Sequence, residues 1–120
     1  MWTWDQSAGA MSRAGKVLCH GYAGHDWGKN NPDAECVQGI GPLPRGKYKM
    51  TALRLTGAST GPYTIVLEQV EGDSHGRSAF RIHGDSIKLP GTASHGCIIL
   101  PRVYRRQIWE SGDHDLEVIA

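Results

Sequence analysis

The sequence predicts a mostly β domain with one or two short helices, and three observations carry that reading. Glycines are frequent and spread along the chain, where they punctuate short segments. Residues 47–55, 63–70 and 79–84 show either polar–apolar alternation or a run of β-branched and aromatic side chains. Only residues 102–110 read as a helix with its own start and stop signals, Pro101 before it and Gly112 after it.

Taken in order, Trp2-Thr3-Trp4 opens the chain as a strand, and residues 16–22 read as its hairpin partner. Between 23 and 46, glycines, prolines and Asn30-Asn31-Pro32 interrupt the chain too often for a helix or a long strand. An irregular segment of that length in a small domain serves function or covers the core. Pro42-Leu43-Pro44-Arg45-Gly46 is a rigid turn into the half-buried strand 47–55. A turn at 57–62 leads to a central strand at 63–70, and 71–76 is loop. In the next strand Phe80 and Ile82 share one face, and Arg81 and His83 the other. Ile98-Ile99-Leu100 then leads into the helix, with Val103, Ile108 and Trp109 expected inward. Arg102, Arg105 and Arg106 are expected on its solvated face. Residues 116–119 form the last strand, and one domain over 1–120 accommodates the whole.

Net charge is +1 with signs interspersed, which argues against the clustered basic face of a nucleic-acid binder. No apolar run approaches the ~20 residues of a membrane span. The N-terminus lacks the pattern of a signal peptide, so synthesis in the cytoplasm without general export is expected. There are three cysteines and no Cys-x-x-Cys pair, which argues against a structural zinc site. Two readings of them stay open: a Cys19–Cys36 disulfide, or three reduced thiols.

The chemistry concentrates between His83 and Cys97. A free thiol titrates near ~8.5 and is mostly protonated at neutral pH. A nearby imidazole can take that proton and leave a strong nucleophile. Cys97 is therefore the candidate nucleophile and His83 the candidate base. Ser94 and Gly96 let the backbone turn sharply, and the N–H groups of Cys97 and Gly96 are oxyanion-hole candidates. His95 is expected to shape the site, its carbonyl accepting from the His83 ring. Zinc on His83, His95 and Cys97, with Cys36 or Asp85, is weaker for want of a repeated ligand pair. No metal or cofactor is expected. His20, His25, His75 and His114 carry no pattern.

His83-Gly84 followed by Ser94-His95-Gly96-Cys97 resembles the signature of the L,D-transpeptidase (YkuD-type) catalytic domains. Further stretches narrow the likeness. They are Gly21-Tyr22-Ala23-Gly24, Asn30-Asn31-Pro32, residues 41–48 and residues 76–85, with the opening Trp2-Thr3-Trp4. Together they resemble the type VI secretion L,D-transpeptidase effectors, antibacterial toxins that attack a rival's cell wall. The resemblance implies a β-rich L,D-transpeptidase-like catalytic domain acting on peptidoglycan stem peptides in the target-cell periplasm. It implies Cys97 attack at a tetrapeptide stem, His83 as base, and completion by water or an amine acceptor. A cognate immunity protein is implied on the same ground. Ile99 departs from the Arg or Asn that many housekeeping relatives carry two residues after the cysteine. Arg77, Arg81 or Arg102 is expected to bind a stem-peptide carboxylate instead, beside Gly84. The alternative is a non-catalytic cell-wall-binding or phage-associated module on the same fold. An NlpC- or papain-type enzyme fits poorly, because there the cysteine precedes its histidine.

Overall fold

Strands rich in Val, Ile, Thr and aromatic residues bury their backbone groups only by pairing, and here all of them join one sheet. The computed structural model describes residues 1–56 and 61–120, so part of the turn expected at 57–62 lies outside the described residues. The strands are β1 (Trp2–Asp5), β2 (Ala10–Arg13), β3 (Lys16–His20), β4 (Tyr22–Ala23) and β5 (Gly46–Arg54). They continue with β6 (Thr64–Glu71), β7 (Arg81–His83), β8 (Ile98–Ile99) and β9 (Asp115–Ile119), and the helix is α1 (Arg102–Glu110). The chain is mostly β, with a barrel-like sheet in the order β3-β2-β1-β9-β5-β6-β7-β8-β4. Among the described residues two pairs are parallel, β1 with β9 and β7 with β8.

The expected N-terminal hairpin is corrected. The partner of β1 is β2, and residues 16–20 pair with β2 instead. Arg13 faces Lys16 across the two-residue turn Ala14-Gly15, where both φ angles are positive (52° and 76°). That turn suits the right-handed twist of a hairpin but normally selects Asn-Gly or Asp-Gly. After Gly21, Tyr22–Ala23 breaks away to form the short edge strand β4.

The core holds Trp4, Met11, Tyr48, Ile65, Ile82, Ile98, Leu116 and Val118 from the sheet and Ile108 from the helix. Residues 105, 108 and 109 lie one turn apart on the inward face of α1. Ile108 is buried and Trp109 packs against the core. Val103 is exposed, contrary to expectation, because it lies off that stripe. Gly112, at φ 78°, ends the helix as expected.

The segment 23–46 is irregular apart from two 3-10 turns, Asp26–Gly28 and Pro32–Ala34. It is tied down at the buried Glu35 carboxylate. Oε1 accepts from Gln6 Nε2 (2.9 Å), the Arg45 N–H (2.6 Å) and Arg45 Nε (3.0 Å), and Oε2 pairs with His75 Nε2 (2.9 Å). Burial acts to raise this carboxyl, but those bonds outweigh it and hold it at about 2. Cys19, Cys36 and Cys97 are all free, so the reading with three reduced thiols is the one observed. The buried Cys19 thiol is pushed up to about 11 by loss of solvation.

Candidate active site

The parallel pairing of β7 with β8 joins the two ends of the sequence motif. Ile82 pairs with Ile98 and His83 with Ile99, and the Leu100 N–H donates to His83 O (3.1 Å). Ile82 and Ile98 are fully buried on the core side. Alternation then places His83, Ile99 and, one residue before β8, Cys97 on the opposite face. Neighbouring strands lie ~4.8 Å apart with ~3.3 Å rise per residue, so the two-residue offset separates the His83 and Cys97 Cα atoms by roughly 8 Å.

His83 is buried, and its Nδ1 lies 2.9 Å from Gly84 O. A carbonyl only accepts, so Nδ1 carries the proton and Nε2 is left with its lone pair. Burial lowers the affinity of the ring for a second proton, and the charges of Arg105 and Arg81 act the same way. The Gly84 bond and Asp85 act upward without outweighing them. The imidazole is thus held neutral, as a base must be. The orienting carbonyl belongs to Gly84 and not, as expected, to His95, whose carbonyl accepts from Arg77 Nη2 (3.4 Å).

Cys97 is half-buried and its thiol donates to Ala79 O (3.5 Å). Burial pushes the thiol up. The Arg81 N–H, the charges of Arg81 and Arg77, and the Cys97 N–H pull it down without outweighing burial. The resting pair is therefore a thiol and a neutral imidazole, each bonded to a different carbonyl.

Ser94 closes the turn before Cys97. Its Oγ accepts from the N–H groups of Gly24 (2.9 Å) and Gly96 (3.0 Å) and donates to Cys97 O (2.6 Å). The Gly96 N–H, expected to face an oxyanion, is thereby engaged. The N–H groups that act on the sulfur are those of Arg81 and Cys97. Gly96 sits at φ 138°, and a Cβ there would lie 2.2 Å from Arg77 Nη2, so only glycine fits.

Arg77, expected to meet a substrate carboxylate, is buried instead. Its guanidinium donates to the carbonyls of Glu35 (2.7 Å), Pro42 (2.8 Å), Gly41 (2.9 Å) and His95. Arg81 lies half-buried on the His83 face of β7. The His95 ring packs against His25, centroids 5.2 Å apart. His83, Gly84, His95 and Ile99 line a cavity of about 1180 Å³, with Arg102, Arg105 and Lys88 also on its wall. Among the described residues, no group of three or more His, Cys, Asp or Glu could hold a metal ion.

This pair of motif residues lies within a longer match: the Tlde1 domain matches residues 18–117. The chain belongs to the Tlde1 domain family. It is a family of type VI secretion effectors with L,D-transpeptidase activity, which points to peptidoglycan as substrate. No curated protein matches the chain. The Tlde1 match begins within β3 and ends within β9, so the β1–β2 hairpin precedes it, yet β1 pairs with β9. No helix is long and apolar enough to cross a membrane among the described residues.

Sequence reasoning missed two supports of the Tlde1 site. The first is Tyr22, whose hydroxyl donates to Asp85 (2.7 Å) and accepts the Ala93 N–H (3.0 Å). Asp85 also takes the Ser86 and Gly91 N–H groups, so these two side chains hold both ends of the segment joining His83 to Cys97. An Asp immediately after Gly84 is a turn-forming signal that could have shown it. The second is Arg105, expected in solvent but buried behind Gly84. Its spacing of three from Ile108 put it on the inward stripe of the helix.

Proposed function

We propose that residues 1–120 form a single catalytic domain, a cysteine L,D-carboxypeptidase and L,D-transpeptidase that acts on tetrapeptide stems. The observation that carries this is a neutral, carbonyl-oriented His83 lining the cavity, with Cys97 on the same face of the adjacent parallel strand. His83 Nε2 takes the Cys97 proton as sulfur adds to the carbonyl at the L-centre of the third stem residue. The Arg81 and Cys97 N–H groups stabilise the oxyanion. As the tetrahedral adduct collapses, the terminal D-Ala amine leaves with the proton from His83, and a thioester remains. Water, deprotonated by His83, hydrolyses it to the tripeptide and restores the thiol. A D-amino acid or a second stem's amine completes exchange or cross-linking instead. A resting thiol is compatible with this, because catalytic hydrogen bonds often tighten only once substrate is bound.

Arg102, exposed on the cavity wall, is the better placed arginine for a stem carboxylate, since the donors of Arg77 are engaged. Delivery into the target-cell periplasm and a cognate immunity protein belong to the same reading, which the effector family supports. The decisive experiment incubates the protein with purified muropeptides and follows tetrapeptide-to-tripeptide conversion by mass spectrometry. Wild type should convert, and Cys97→Ser and His83→Gln should not while remaining folded. Equal turnover by Cys97→Ala would overturn the reading. The raised thiol favours a second reading, a wall-binding module without catalysis, which predicts sacculus binding and no turnover by wild type.

A further inference from the structure

We propose that Arg105 is a positioning residue for His83: from behind the turn it fixes the peptide groups that aim the ring, and it places a positive charge beside the imidazole. The proposal rests on His83 being the base.

Arg105 is buried on the inward face of α1. Its Nε donates to Leu100 O (3.0 Å), and its Nη1 to Pro62 O (2.9 Å) and Tyr63 O (2.7 Å). Leu100 is the residue whose N–H donates to His83 O, so Arg105, through the carbonyl of the next peptide unit, anchors the residue that fixes the His83 backbone. Its Nη2 lies 2.8 Å from where a Cβ on Gly84 would stand. The guanidinium thus fills the space behind the very residue whose carbonyl orients the ring. One side chain supports His83 through both its neighbours in space.

Packing alone would be met by Met or Leu, which fill the same volume without burying a cation. Among the described residues no carboxylate pairs with Arg105, so its charge is balanced only by carbonyl dipoles and acts on its surroundings. It opposes protonation of His83, as Arg81 does, while Asp85 favours it. The other titratable or charged groups on that side are Cys97 on the same face and, around the cavity, His20, Tyr22, Lys88, His95 and Arg102. None of these is buried behind the ring's own backbone as Arg105 is.

The test uses the full chain with Arg105→Lys and Arg105→Met. It reads muropeptide turnover against pH and the His83 ring titration by NMR. In Arg105→Met the His83 midpoint and the acid limb of kcat/KM should move to higher pH, and kcat should fall on the order of tenfold with KM little changed. Arg105→Lys keeps the charge and should hold the midpoint near wild type, with a smaller loss of kcat. A folded Arg105→Met protein with the wild-type midpoint, or with wild-type kcat, overturns the proposal. Should that variant not fold, Gly84→Ala decides. It should lose kcat, and adding Arg105→Lys, whose head group is smaller, should restore part of it; unchanged kcat overturns the idea. Failure of the base assignment is separately visible, because His83→Gln would then stay active.

Discussion

Glu35→Gln replaces a buried carboxylate by an amide of the same shape at the point where Gln6, Arg45 and His75 converge. The carboxyl is held at about 2 against an ordinary 4.5. At ~1.4 kcal/mol for each pH unit, that difference is on the order of 3 kcal/mol of folded-state stability at neutral pH. The side chain is only 10% exposed, so solvent screening takes little of it. The folded value lies below the unfolded one, so the contribution is complete above the unfolded value near 4.5 and is lost as pH falls towards 2. Glutamine imitates the protonated acid and lacks the contribution at every pH. Urea unfolding should therefore show wild type ahead by about 3 kcal/mol at neutral pH, equivalent to roughly 10 °C in Tm. The gap should shrink on acidification and nearly close near pH 2. Equal stability at neutral pH, or a gap that persists undiminished near pH 2, refutes the reasoning.

Three further outcomes are expected. Tyr22→Phe leaves the Ala93 N–H without its partner and takes one of three donors from Asp85 Oδ1, and should cost about 1–2 kcal/mol with faster hydrogen exchange at Ala93; unaltered exchange would show that the hydroxyl does not hold the segment. Ile108→Ala empties a fully buried site between helix and sheet and should cost about 2–5 kcal/mol in urea unfolding. In a Cys36→Ser background, alkylation of Cys97 should be slow at neutral pH and accelerate only above the ordinary thiol range near ~8.5, because burial raises it. A fast plateau at neutral pH would reveal a preformed thiolate and contradict base-assisted attack.

The strands β5, β6, β7 and β9 were legible because alternation and β-branched runs mark a pleated surface whatever lies beside it. β2 was not, since its four residues lack a strong pattern and its turn places Ala14 where Asn or Asp would have signalled a hairpin. At the candidate site, residue type and spacing singled out His83 and Cys97, and the parallel register puts them on one face of adjacent strands. The arginines were misjudged for one reason: a charged residue is expected in water, and nothing local in the sequence shows which carbonyls surround it. Arg77 and Arg105 are satisfied by backbone oxygens drawn from segments far apart in the chain. The orienting carbonyl was assigned to His95 because sequence proximity to Cys97 suggested it, whereas the bond that forms is the one to the next residue, Gly84.

The glycines after His83 and before Cys97 each press against a buried guanidinium, Gly84 against Arg105 and Gly96 against Arg77. Mutational tolerance along this short region should therefore change abruptly. Any side chain at 84 or 96 collides with a cation that is itself tethered to carbonyls. Ile87, only a few residues away on the cavity rim, and Leu89 just beyond it are 98% and 66% exposed. Drift in sequence can then alter what the rim meets, substrate or partner, while His83 and Cys97 keep their geometry. Diversification of such effectors is expected to concentrate at the rim, with the two glycines held fixed from the inside.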